Sequence, residues 1–345
     1  MKIETINNKE YKLPGSLTNF QKELYVHLIN YKWKYITKDV GLYKYKGEFI
    51  EYDAILPKAI QSKSPLIYPS ILFDLKQHKK KFPFKLHIHF NHMASSQVAN
   101  VNLFLPILLS PKVNDILRLL KPDFKELANS ELYKGFRIEY WDGNSNKEKG
   151  LLGDHNARSG TDSDIAIAYY NHNNELCLWL IEHKLTEKEF TVCGGFKSKA
   201  RDKSKHICSK SFGDIVKNKN LCYYHDIKNN NYWNITETHK DFFINNGTTA
   251  SCPFQKGMNQ LWRNQLLGFA VEDDKRNDFK NMFFSVVHHP DNHSLDTSIN
   301  EYKKLINNNS KFSSFTSSNV VQSAELINDS DLNAWVDWYK ELYNV

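Results

Sequence analysis

TDSDIAIAYYNHNNELCLWLIEHKLTE, residues 161–187, holds two apolar runs joined by a turn. DIAIAYY opens on Asp164, and ELCLWLIEHK ends on Lys184. Between them lies NHNN, residues 171–174, four residues that accept turn geometry. The spacing predicts a β-hairpin inside a sheet, with the second strand largely buried. Alternate residues of a strand share a face. Glu182 and Lys184 therefore project together, and His183 points the other way. Closing the hairpin sets Asp164 beside Glu182 at one end of the sheet.

Two carboxylates and a lysine so placed suit phosphodiester hydrolysis. Paired carboxylates form a hard oxygen site for Mg²⁺ or Mn²⁺. The metal polarises a phosphate and acidifies water. A neighbouring lysine orients that water or meets the developing charge. A bland alternative is an ion pair where the strand leaves the core, because buried charge needs a partner.

The pattern SD-(x)n-IEHK resembles the core motif of the PD-(D/E)xK, or restriction-endonuclease-like, superfamily, with Ser163 where that name has Pro. SSQVANVNLF, residues 95–104, is similar to a helix signature of one group within it. EHKLTE, residues 182–187, and QLWRN, residues 260–264, are similar to that group's strand end and late helix. The resemblance spans about residues 87–270. It implies an α/β, restriction-endonuclease-like core, with a central mixed sheet flanked by helices, to which the sequence adds a Cys/Lys-rich insertion. It implies a Mg²⁺- or Mn²⁺-dependent nuclease acting on DNA before RNA, in a restriction or defence setting, and it admits a homodimer. Asp164 and Glu182 would hold the metal and Lys184 would assist the water. Gln97 stands where the superfamily often has an acid, so it either supports the metal site or satisfies backbone groups. Glu139, in FRIEYW, is a further candidate acid, with an ordinary surface glutamate as the preferred reading. Gln260, Arg263 and Asn264 share one side of a helix and would place a phosphate or the metal.

Outward from this core, residues 1–82 are expected to form an N-terminal, mainly helical lobe, and residues 83–345 the nuclease domain. Ser16 is a fair cap for a helix through Phe20, Leu24, Leu28 and Tyr31. A second helix is predicted over residues 69–77. KLHIHF reads as a short strand, then Ser95 or Ser96 caps a helix to Leu109, kinked or broken near Leu105 by Pro106. Residues 135–143 read as a strand and turn, followed by a polar loop. Residues 190–253 read as an insertion. Later come a helix over residues 255–271, a strand at MFFSVVHH, a helix over residues 296–306, a Ser-rich loop at residues 310–318 and a last helix at DLNAWVDWYKELY.

Cys193, Cys208, Cys222 and Cys252 all fall in the insertion, and Cys177 sits on the buried strand. No C-x-x-C pair occurs. Structural zinc, an iron–sulfur cluster and plain burial all stay open for the four, with His206 and His225 as spare ligands. His87, His89 and His92 read as a mix of core and surface histidines. KSKARDKSKHICSK, residues 197–210, offers Lys197, Lys199 and Arg201 to phosphates; a solvated loop is the competing reading. A net charge of +7 suits a polyanionic partner but also fits a general Lys/Asn bias. The first residues lack an apolar signal region and no run is long enough to span a membrane, so a cytoplasmic, reducing setting is expected. Two rivals remain: a non-catalytic nucleic-acid-binding protein and a zinc-organised interaction protein.

Overall fold

The computed structural model describes residues 2–45, 47–141, 149–156 and 159–345. The end of the expected turn and the first part of the polar loop, residues 142–148, lie outside them, as do residues 157 and 158. Among the described residues, ten strands, β1 to β10, are Lys2–Ile6, Lys9–Leu13, Gly41–Tyr45, Glu48–Tyr52, Phe124–Leu127, Phe136–Tyr140, Ser163–Asn171, Leu176–Lys184, Asn281–His288 and Phe312–Thr316. The central sheet is six-stranded, in the order β10-β9-β8-β7-β5, with β6 also on β7. It is mixed: β8 and β9 run parallel, as do β9 and β10, while β7 is antiparallel to β5, β6 and β8.

Every residue of β8 is buried, as its apolar run requires. Its two faces feed separate cores. Cys177, Trp179 and Ile181 pack with the Ser96–Leu108 helix, the N-terminal segment and the Ser330–Tyr343 helix. Leu176, Leu178 and Leu180 pack with the Met258–Glu272 helix and the insertion. The sheet is thus covered on both sides, as its apolar strands demand.

Several local expectations change. Thr18, not Ser16, caps the Asn19–Tyr35 helix, in a capping box with Gln21. The N-terminal segment carries two hairpins, β1–β2 and β3–β4, beside its helices. Its apolar residues Leu24, Leu28 and Ile29 share a core with Val98 and Trp335. KLHIHF forms no strand. The serine-rich stretch is not a loop: β10 adds to the edge of β9, and the Ser317–Glu325 helix follows. Pro106 does not break its helix, which continues to Leu108. Proline leaves the carbonyl one turn back, on Asn102, without its helical donor. The buried Trp335 indole N–H donates to that carbonyl at 2.8 Å.

Candidate active site

Register builds the site. In the β7–β8 ladder Ile165 faces Ile181, so the next rung sets Asp164 against Glu182. In the β6–β7 ladder Ile138 faces Ile165 and Tyr140 faces Ser163, which sets Glu139 against Asp164 on its other side. Three carboxyl-bearing residues therefore lie on adjacent strands at one end of the sheet.

Glu139 reaches this position by an unusual backbone. Its φ is +52°, in the left-handed region that glutamate seldom adopts. Phe136 and Ile138 belong to one core and Tyr140 to the opposite one, so strand alternation fails at Glu139. Its Oε1 accepts from Gln97 Nε2 at 2.8 Å. Gln97 also donates to the Lys85 carbonyl at 3.1 Å and accepts from His87 N–H at 2.9 Å. Gln97 thus satisfies backbone groups and also touches an acid of the site. The preferred reading of Glu139 as an ordinary surface residue is corrected. Burial raises its carboxyl to about 8, with the Gln97 hydrogen bond opposing and Asp162 and Glu182 adding to the rise.

Glu182 is 4% exposed and fully engaged. Lys184 Nζ donates to its Oε1 at 2.6 Å, Gln260 Nε2 to the same oxygen at 2.6 Å, and Asn264 Nδ2 to Oε2 at 2.8 Å. Gln260 and Asn264 are four apart on the Met258–Glu272 helix and reach down together. Asp164 Oδ2 accepts from His183 N–H at 2.7 Å. Burial, then Glu182 and Glu139, hold the Asp164 carboxyl well above the usual range. Burial would lower the Lys184 ammonium, but Glu182, Glu187 and Asp164 outweigh it and hold it above its ordinary value. The strand end is clamped from both sides: Gln21 Nε2 donates to the Thr186 carbonyl at 2.7 Å, and Asn292 Nδ2 to the Glu187 carbonyl at 3.0 Å.

Other candidates lie apart from this knot. Arg263 is turned to Tyr232, with Asp154 and Tyr224 nearby. Lys197 and Lys199 are exposed. Arg201 Nη1 lies 3.0 Å from Cys208 Sγ and its guanidinium covers the Phe196 ring. His92 is buried while His87 is exposed. No group of three or more His, Cys, Asp or Glu side chains stands ready around a single ion among the described residues. Sequence reasoning missed Asp162, whose charge bears on Glu139 and which pairs with His155 at 2.9 Å. Its only signal was its place in TDSD.

A mixed sheet of six strands with helices on both faces is consistent with a restriction-endonuclease-like fold. The chain belongs to the family described as "Restriction Endonuclease associating with ARP", whose model matches residues 31–344. No curated protein and no solved structure matches the chain. No helix among the described residues is long and apolar enough to cross a membrane.

Proposed function

We propose that the chain is a metal-dependent nuclease of the PD-(D/E)xK type that hydrolyses DNA phosphodiester bonds internally, in a restriction or defence role. The observation that carries this reading is the buried Glu182 carboxylate, held by Lys184, Gln260 and Asn264, with Asp164 on the next strand and Glu139 beyond it. The donor set fits Mg²⁺ or Mn²⁺. It is all oxygen, and burial followed by the neighbouring carboxylates raises the Asp164 and Glu139 carboxyls, a strain that a cation between them would relieve. Asp164 and Glu182 would hold the ion, with Glu139 behind them. Bound there, the ion would supply Lewis-acid polarisation of the phosphate and acidify water.

The chain's own residues do the rest. Gln260 and Asn264 fix the Glu182 carboxylate, so it meets its charge without reorganising. Lys184 stays protonated and offers its N–H groups to the attacking water or to charge growing on the phosphoryl oxygens. His183 N–H orients Asp164. The exposed Lys197 and Lys199 and the net charge of +7 favour a polyanion, whose backbone contacts give affinity without sequence choice. The test is cleavage of supercoiled and linear DNA with Mg²⁺ or Mn²⁺, beside Lys184→Ala and Asp164→Ala. Tight DNA binding without cleavage under any condition would favour a non-catalytic binding protein instead.

A further inference from the structure

The insertion brings four of the chain's five cysteines to one cavity. Cys193, Cys208, Cys222 and Cys252 are spread over about 60 residues of sequence, yet all four line it, and none is in a disulfide. Backbone bonds draw their segments together. Cys193 N–H donates to the Gln255 carbonyl at 3.2 Å, and Cys252 N–H to the Cys208 carbonyl at 3.1 Å. Plain burial of thiols does not ask four distant segments to converge.

The thiols are also met by donors. Phe196 N–H donates to Cys193 Sγ at 3.3 Å. The amides of Tyr224 and His225 face the Cys222 sulfur, and that of Phe254 faces Cys252. Each of these donors lies two or three residues after its cysteine. The Trp233 indole N–H, fully buried and without a conventional partner, also faces Cys222. Arg201 brings a cation to Cys208 at 3.0 Å. Amide and guanidinium groups aimed at sulfur stabilise the thiolate over the thiol. Four converging sulfurs met in this way are suited to a positively charged guest.

Size selects the guest. Zinc draws four sulfurs to ~2.3 Å from one centre and leaves no room for a water-sized sphere. Here the cavity is about 20 Å³, more than the ~10–15 Å³ that one such sphere occupies. The thiols form no single-ion cage. They line a shared space, and its lining also includes the apolar Phe196, Trp233, Phe254 and Trp262.

We propose that Cys193, Cys208, Cys222 and Cys252 ligate an iron–sulfur cluster that organises the insertion. A cluster handed over by a thiolate-ligated carrier arrives by ligand exchange: each cysteine forms an iron–sulfur bond as the carrier's thiolate leaves and takes the proton, and no electrons move. His206 is not a ligand: its ring nitrogens are engaged by Asp226 at 2.8 Å and the Asp202 amide at 3.1 Å. The cluster would sit behind the helix that bears Gln260 and Asn264. Trp262 of that helix lines the cavity, and Thr191 N–H, two residues before Cys193, donates to Gln260 Oε1 at 3.0 Å.

The full chain, purified without oxygen, is assayed for iron, zinc and acid-labile sulfide. The expected result is iron and sulfide in about a one-to-one ratio, at about two or more iron atoms per chain, with a visible absorption band bleached by dithionite. Cys222→Ser and Cys252→Ser should lose that iron, while Cys177→Ser, on the other face of the sheet, retains it. Zinc without sulfide overturns the proposal. So does a parent chain that carries neither metal nor sulfide and takes up none from ferric iron, sulfide and a thiol reductant in the absence of oxygen. The readout on the parent chain stands even if a variant does not fold, and it is independent of nuclease activity.

Discussion

Replacing Glu139 by glutamine should stabilise the metal-free protein, and only at neutral to alkaline pH. The Glu139 carboxyl is raised from its ordinary 4.5 to about 8, first by burial. Its folded value lies above its unfolded one. Its contribution to stability is therefore fully present below pH 4.5 and is lost as pH rises through 8. Each pKa unit is worth ~1.36 kcal/mol, so at pH 7 holding the side chain protonated, when the unfolded chain would ionise it, costs about 3 kcal/mol, and residual solvent contact trims this to about 2 kcal/mol. Glutamine keeps the oxygen that accepts from Gln97 and removes the charge. At ~2.1 cal/mol/K per residue, a chain of 345 residues unfolds with ~0.7 kcal/mol/K, so Tm should rise by about 3 °C. Calorimetry of parent and variant in EDTA at pH 5 and pH 7.5 measures this. At pH 5 the two should agree within about 1 °C. An equal shift at both values, or a less stable variant at pH 7.5, would refute the reasoning, because the charge would then not be the strained element.

Three further outcomes follow from the same geometry. Asn264→Ala strips the donor from Glu182 Oε2, and DNA cleavage should fall about 10- to 100-fold while DNA affinity in gel shift stays within about twofold; an unchanged rate would detach the late helix from the chemistry. Trp335→Phe removes the donor to the Asn102 carbonyl behind Pro106, and urea unfolding should show a loss of about 2 kcal/mol; no loss would mean that this carbonyl finds another partner. His183 is fully buried with both ring nitrogens unpaired, and burial, then Lys184, lowers it to about 3. Its folded value lies below its unfolded one, so its contribution is present above pH 6.5 and is lost as pH falls towards 3. The Tm of His183→Met relative to the parent should therefore climb between pH 7 and pH 5, and a flat difference would contradict the assignment.

Asp164, Glu182 and Lys184 were legible because a hairpin of period-two strands leaves little freedom in register. The pairing of Gln260 with Asn264 followed from helical spacing in the same way. Glu139 was not legible. Its approach to the site depends on a φ of +52°, which nothing in FRIEYW signals. Pro106 misled because the donor that rescues the Asn102 carbonyl comes from Trp335, more than 200 residues away. The serine-rich stretch became β10 by pairing with the edge of β9, while KLHIHF, with the right alternation, joins no strand. Both outcomes are tertiary. The cysteines lie between: their number was visible, but their convergence rests on backbone bonds between segments that share no local pattern.

The most direct measurement is a single-turnover cleavage assay of plasmid DNA with Mg²⁺, comparing the parent with Asp164→Asn and Lys184→Met under conditions where all three bind DNA. The expected result is nicking and linearisation by the parent, with both variants slowed by about 100- to 1,000-fold, as loss of a main electrostatic group implies. Cleavage by all three at similar rates would contradict the placement of the active site at Asp164, Glu182 and Lys184.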